Sequence, residues 1–251
     1  MKKNHVFLVT LLISVLSFGQ EFLVENFDYG TTPNDLHSVG SDWINITGGD
    51  FAPFVGYLAT SLTMPDYESI AKGGSANLNI ASQPGQFGQD LHRQLDPLFE
   101  TIYLSALVNV AFVRTGGSDY FMHFNSGEYL GTDENFDPVF NNVNDRARVF
   151  VRDNGSGGIN FGILSSGETA DVSWDPNVYD KATTYLIVAS YDTASGTSKL
   201  YVLTAPIVNE PAQANASHQF PGVVEINAFS LRQKAYGPSA TVDGIKVVGS
   251  W

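Results

Sequence analysis

The chain of 251 residues has no cysteine. That excludes disulfides, a thiol nucleophile, cysteine-ligated metal sites and membrane attachment through an acylated cysteine. The fold must therefore be held by its core and by any ions it binds. Basic residues are scarce too: 13 Lys+Arg stand against 26 Asp+Glu, a net charge of −13 at pH 7. Nucleic-acid binding rests on Lys and Arg neutralising phosphates, so no nucleic-acid partner is expected. Anionic membrane surfaces are disfavoured for the same reason, whereas divalent cations and neutral sugars stay open. Beyond the N-terminus no segment is apolar enough to span a bilayer, and no membrane insertion is expected.

The N-terminus carries what the rest lacks. Lys2 and Lys3 precede an apolar run from Val6 to Leu16 and a short exit, Ser17-Phe18-Gly19-Gln20. That order is the pattern of a secretory signal peptide, and the run is shorter than the roughly 20 residues a permanent span needs. Residues 1–20 are expected to be the signal peptide and 21–251 one exported domain, secreted or held at the cell surface, and not a lipoprotein.

Strand signals dominate the exported part. In Ile102 to Val113, Ile102, Leu104, Ala106, Val108, Val110 and Phe112 share one face at period two. Tyr185 to Tyr191 is a continuous apolar run, as expected of a strand buried on both faces. Arg146 to Arg152 alternates, which predicts Ala147, Val149 and Val151 facing in and Arg146, Arg148 and Arg152 facing out. Leu200–Leu203, Val223–Leu231 and Thr241–Val248 read as later strands. Phe22–Phe27, Trp43–Thr47, Tyr57–Thr63, Ala76–Ile80, Tyr120–Phe124 and Ile159–Leu164 read as shorter ones. Clusters such as Gly48-Gly49-Asp50, Gly116-Gly117-Ser118-Asp119, Asp153 to Gly158 and Ser195-Gly196 are turn chemistry. Met64–Gly74, Pro84–Leu98, Gly127–Asp145 and Ala205–Pro221 read as long irregular stretches. Many short strands at this spacing predict an all-β sandwich or barrel.

Several segments add to this. They are Glu25-Asn26-Phe27-Asp28-Tyr29, Tyr103 to Val110, Gly117 to Phe121, Ile159 to Ile163, Thr184 to Val188, Phe229 to Gln233 and Thr241 to Trp251. Taken in order they resemble a family of secreted Bacteroidota-type proteins with a concanavalin A-like, or laminin-G-like, jelly-roll domain. The resemblance implies an antiparallel two-sheet jelly-roll sandwich with its two ends in neighbouring strands. In that family a sorting domain for the type nine secretion route often follows. Trp251 falls at the natural end of the jelly roll, and the sequence leaves open whether such a domain follows.

Catalytic signatures are hard to find. The Glu-x-Asp strand motif of jelly-roll glycoside hydrolases does not occur. Its nearest approach, Asp133-Glu134-Asn135-Phe136-Asp137, lies in a Gly- and Asn-rich stretch where carboxylates are poorly positioned for acid–base work. No strand motif matches the Arg/Gln/His/Tyr cleft of polysaccharide lyases. His37, His92, His123 and His218 are far apart in sequence.

Binding chemistry is better represented. Jelly rolls of the resembled class often hold a structural Ca2+, and the resemblance places Glu25 and Asp243 as its ligands, bridging the first and last strands. Calcium takes six to eight oxygens, carboxylates among them. A carboxylate between Val242 and Gly244 in an apolar strand is out of place without a partner. The alternative is that Asp243 faces solvent on the outer sheet. For a glycan, Trp174, Asn177 and Tyr179 in the stretch Trp174-Asp175-Pro176-Asn177-Val178-Tyr179 supply aromatic faces beside amide and carboxylate partners. Tyr120 with His123, and Trp43 with Asn45, are lesser candidates. The competing reading is that these aromatics are core. Arg146, Arg148 and Arg152 offer a grip for an acidic polysaccharide, or partners for carboxylates on adjacent strands. Three classes follow in order: a non-catalytic module for extracellular glycan or cell-surface material, a structural or adhesive protein that binds another surface protein, and an enzyme with an unrecognised site.

Overall fold

A computed structural model describes residues 20–46, 54–67, 73–79, 88–98, 100–133, 138–141, 144–222, 224–234 and 236–251. Nearly all of the expected signal peptide, the Gly48-Gly49-Asp50 turn and Glu134 to Asp137 lie outside them.

In chain order the strands are β1 (Glu21–Glu25), β2 (Asn34–Asp35), β3 (Trp43–Asn45), β4 (Gly56–Leu58), β5 (Ser75–Asn79), β6 (Asp90–Leu98), β7 (Thr101–Phe112), β8 (Ser118–Asn125) and β9 (Glu128–Thr132). They continue as β10 (Pro138–Asn141), β11 (Asp145–Asp153), β12 (Ile159–Leu164), β13 (Ser173–Trp174), β14 (Thr184–Asp192), β15 (Thr197–Leu203), β16 (Ala216–Gln219), β17 (Ile226–Arg232) and β18 (Ser239–Val248). A short α-helix, Leu36–Val39, with Asp35 accepting from the His37 N–H as its N-cap, and a 3-10 turn, Thr169–Asp171, interrupt them.

The first sheet runs β16-β15-β14-β7-β18-β5-β4-β2, with β1 also on β18. The second runs β13-β12-β11-β8-β17-β6-β3, and β9 and β10 form a separate hairpin. Every pairing is antiparallel. This is a jelly-roll sandwich. The expected neighbouring of first and last strands is present: β5 covers residues 239–242 of one β18 edge, and β1 covers 245–248 of that edge.

Period two explains the layering. Leu104, Ala106 and Val108 of β7 meet Ile187 and Ala189 of β14, and Phe121, Val149, Phe161 and Phe229 of the second sheet, in the inter-sheet core. The alternate residues Tyr103, Leu107, Leu186, Val188 and Tyr201 form a smaller cluster on the outer face of the first sheet. That is why Tyr185 to Tyr191 reads as apolar throughout. A strap between β15 and β16 covers the outer cluster. Glu210 accepts from Tyr103 Oη at 2.8 Å, from Tyr201 Oη and from Lys199 Nζ, and Trp251 Nε1 donates to the Ile207 carbonyl.

Five expectations fail here, each for a local reason. Pro84–Leu98 is not all irregular: β6 fills its second half, with Pro97 beside a register shift against β17 where its missing N–H costs nothing. Gly127–Asp145 contains the β9–β10 hairpin, and Ala205–Pro221 contains β16. Phe112 lies past a register shift against β18 and is 44% exposed. Arg146 points inward. Ala147 adopts φ +47° at a bulge, so the face alternation changes there, and Arg146 Nε reaches Tyr191 Oη of the opposite sheet.

Candidate functional site on the outer face of the second sheet

β17 lies between β6 and β8, and its register sets Ser230 opposite His92 on one side and His123 on the other. Three strands distant in sequence thus bring two histidines to one serine. Asn125 Nδ2 donates to Ser230 Oγ at 2.7 Å and lies 3.1 Å from His92 Nδ1. Burial, and after it the nearby His123, lower the His92 pKa to about 4, so the ring is neutral at pH 7.

The network extends toward β11. His123 Nε2 lies 3.3 Å from Asp145 Oδ1, and Tyr120 Oη donates to Asp145 Oδ2 at 2.8 Å. Burial works to raise the Asp145 carboxyl, yet His123, Tyr120 and Arg148 together hold it well below the usual carboxylate range. Arg232 pairs with Asp90 at 3.1 Å, and burial still pushes Asp90 upward against it. The Arg232 guanidinium lies 4.3 Å from the Tyr120 ring centroid and that of Arg148 5.3 Å. Tyr120 is therefore enclosed by cations and by Phe150, and is 9% exposed. As an open stacking platform it falls short.

Trp174 comes closer to its expected role. It pairs with Gly162, where an added Cβ would stand 2.7 Å from the indole. The missing side chain lets the ring lie across β12. Phe150 meets the indole edge-on at 6.2 Å, and the Arg152 guanidinium stacks on it at 4.2 Å. Such a pair stabilises by about 0.5–1 kcal/mol at an exposed site. Trp174 and Tyr120 thus share one face, joined by Phe150.

Asn177 and Tyr179 do not join them. Asp175, fully buried, accepts from the Asn177 backbone and side-chain amides and from Tyr179 Oη, and so shapes the turn. The Tyr179 ring packs on Phe161 and Tyr185 toward the core, which corrects its assignment as a ligand platform. Asn177 is exposed at the turn itself. Trp43 is core, stacked on Phe27 at 6.0 Å and fully buried.

Glu25 and Asp243 lie on adjacent strands, but their surroundings differ. Glu25 Oε1 accepts from the Phe27 N–H, and Oε2 accepts from Tyr29 Oη and Arg93. A guanidinium already supplies the cation there, so Glu25 as placed does not fit the part of a calcium ligand. Asp243 does not face solvent, and it pairs with no cation among the described residues. It is fully buried, its oxygens accept from the Leu62 and Gly244 N–H groups, and burial lifts its pKa to about 7. A lone buried carboxylate does fit a cation. Among the described residues no group of three or more His, Asp or Glu is gathered to hold one.

No protein-family model matches the chain, and no curated protein matches it by sequence. Solved structures overlay it at low similarity. The T. cruzi calreticulin globular domain does so at TM-score 0.46 and 9% identity over 88% of each chain. The metal-free carbohydrate recognition domain of Emp46p does so at 0.43 and 13%, over 90% of this chain and 95% of that one. A sialidase does so at 0.47 and 12% over 88% of this chain. The chain spans only 18–30% of the length of the first sialidase chains it overlays. At these scores the overlays carry nothing about a ligand. The class defined by the two sheets is the antiparallel jelly-roll sandwich.

Proposed function

We propose that the protein is an extracellular, non-catalytic carbohydrate-binding module, exported by its first twenty residues, with the outer face of the second sheet as its site. One observation carries this. Trp174 lies over Gly162, half-exposed, with the Arg152 guanidinium on its ring and Phe150 at its edge. Sugars dock on an aromatic face through their C–H surface while polar neighbours take the hydroxyls. A glycan array read with the mature protein tests it. Binding to at least one glycan, weakened at least tenfold by Trp174→Ala with the melting temperature unchanged, supports the reading. No binding to any glycan ends it.

Calcium belongs to this reading through Asp243, whose carboxylate lacks a cation among the described residues. A chelator that leaves the melting temperature unchanged removes calcium from it.

A second reading, adhesion to another protein, is favoured by the strap. Val208 is 89% and Ile207 43% exposed, beside a pocket of about 190 Å3 lined by Tyr103, Leu186, Val188 and Trp251. If Val208→Asp abolishes attachment to a cell surface while glycan binding is unaffected, adhesion replaces carbohydrate recognition as the main role of this protein.

A further inference from the structure

The second sheet's outer face ends with hydrogen-bond donors left over. Arg148 Nε and Arg232 Nε are buried and meet no acceptor among the described residues. Arg152 sits on the Trp174 indole, half-exposed, and its guanidinium likewise meets no acceptor among the described residues. Three carboxylates of this face already accept hydrogen bonds from the chain, whereas Ser118 Oγ, opposite Arg152 in the register, has no partner among the described residues. Asp145 takes Tyr120 and His123, Asp90 takes Arg232 and the Gln233 N–H, and Asp119 takes the Tyr120 N–H. Acidic residues outnumber basic ones 26 to 13, so carboxylates to pair with Arg152 are abundant in the chain. Leaving this arginine on a tryptophan rather than on an aspartate is therefore a feature of the site.

From the half-exposed Arg152 guanidinium, held on an aromatic ring without a carboxylate partner among the described residues, we infer that the ligand is a carboxylate-bearing glycan, a polymer or oligomer of uronic acids. The inference rests on the carbohydrate-binding reading and narrows its substrate class. A neutral sugar hydroxyl accepts but also brings a donor of its own, and it carries no charge to meet a guanidinium. A carboxylate only accepts, and its two oxygens match the guanidinium fork in a bidentate pair. Arg152 is the first contact, because its ring partner fixes the guanidinium plane before the ligand arrives. Arg148 stands on the same face of β11, four residues away, about 13 Å along an extended strand. That separation suits carboxylates on different sugars of one chain. The half-exposed edge of the Trp174 indole, between β12 and the Arg152 guanidinium, borders the sugar whose carboxylate Arg152 holds.

Calorimetric titration of the mature protein with three tetrasaccharides of equal length tests this: oligogalacturonate, its methyl ester, and cellotetraose. The free acid is expected to bind at least tenfold more tightly than the other two. Arg152→Gln is expected to bring the ratio of acid to ester affinity to within about twofold of one. The ester comparison alters only the ligand, so it decides the matter even where the variant folds poorly. Equal affinity for acid and ester, or preference for cellotetraose, overturns the acidic-glycan inference while carbohydrate binding stands. Failure of all three to bind, together with a blank glycan array, overturns both.

Discussion

The two outer faces of the sandwich solve the same problem in opposite ways. On the first sheet, Tyr103, Leu107, Leu186, Val188 and Tyr201 are covered by the chain's own strap, and the tyrosine hydroxyls meet Glu210. On the second, Tyr120, Phe150 and Leu164 are packed among arginines, histidines and aspartates, and some donors remain unmet. A face closed by its own chain finishes its hydrogen bonds internally. A face left for a ligand keeps some unfinished. Exposure alone does not separate the two, because most of their aromatic residues are buried. The balance of donors and acceptors does.

The strongest way to break the comparison is to treat the second face as a core. Phe150 is 1% exposed, and Phe150→Ala is expected to cost about 3–5 kcal/mol in denaturant unfolding. A cost under about 1 kcal/mol would show that the face is open surface that tolerates a gap.

Titration sharpens the comparison next, through His92 on the second face and Asp243 on the first, whose effects on stability run in opposite directions with pH. His92 is held neutral on the second face. Between its usual pKa near 6.5 and about 4 the unfolded chain binds the proton and the folded one does not. Stability from this group is present above pH 6.5 and is lost as pH falls toward 4, by on the order of 3 kcal/mol. His92→Gln should flatten that limb of the stability curve. Asp243, in β18 of the first sheet, runs the other way. Its folded pKa is raised to about 7, so the folded state keeps a proton that the unfolded chain has released above pH 4. Stability from this group falls as pH rises from about 4 to 7. Millimolar calcium should reverse that slope if the ion binds Asp243, and an unchanged slope in calcium argues against it.

The smallest effect is at the strap. Glu210→Gln is expected to cost about 1–2 kcal/mol, because charge-assisted bonds from Tyr103, Tyr201 and Lys199 weaken. Hydrogen exchange should speed at 205–215 and stay unchanged in β11 and β12. Equal acceleration of both sheets would mean that the strap is part of the global core.

Much of this architecture was legible where period two was clean. β7, β11, β12, β14 and β18 fall within a residue or two of the expected spans. What escaped was parity. One positive φ at Ala147 reverses the faces, so Arg146 looks like a surface arginine in the sequence and is interior in the fold. β6 escaped because the stretch that holds it, Pro84–Leu98, shows no clean alternation in the sequence, although two of its residues, Asp90 and His92, build the site. Of the residues the glycan expectation named from composition, Trp174 is half-exposed on the second face and Tyr120 is enclosed there. It misjudged Tyr179, because nothing in the local sequence shows that Asp175 folds beneath the turn. The His92–Ser230–His123 cluster is set by the register of three strands that are remote in the chain, information that no short motif carries.

The three tryptophans also divide the molecule optically. Trp43 is sealed between the sheets, Trp251 lies edge-on to Tyr103 and Tyr201 at the strap, and Trp174 lies on the opposite face against Arg152. Each compartment therefore has its own intrinsic fluorophore. Single-tryptophan variants would separate three emission signals: Trp43 for global unfolding, Trp251 for loosening of the strap, and Trp174 for a sugar settling on the indole. A ligand that changes Trp174 emission and leaves the other two unshifted would report its own address, without any label.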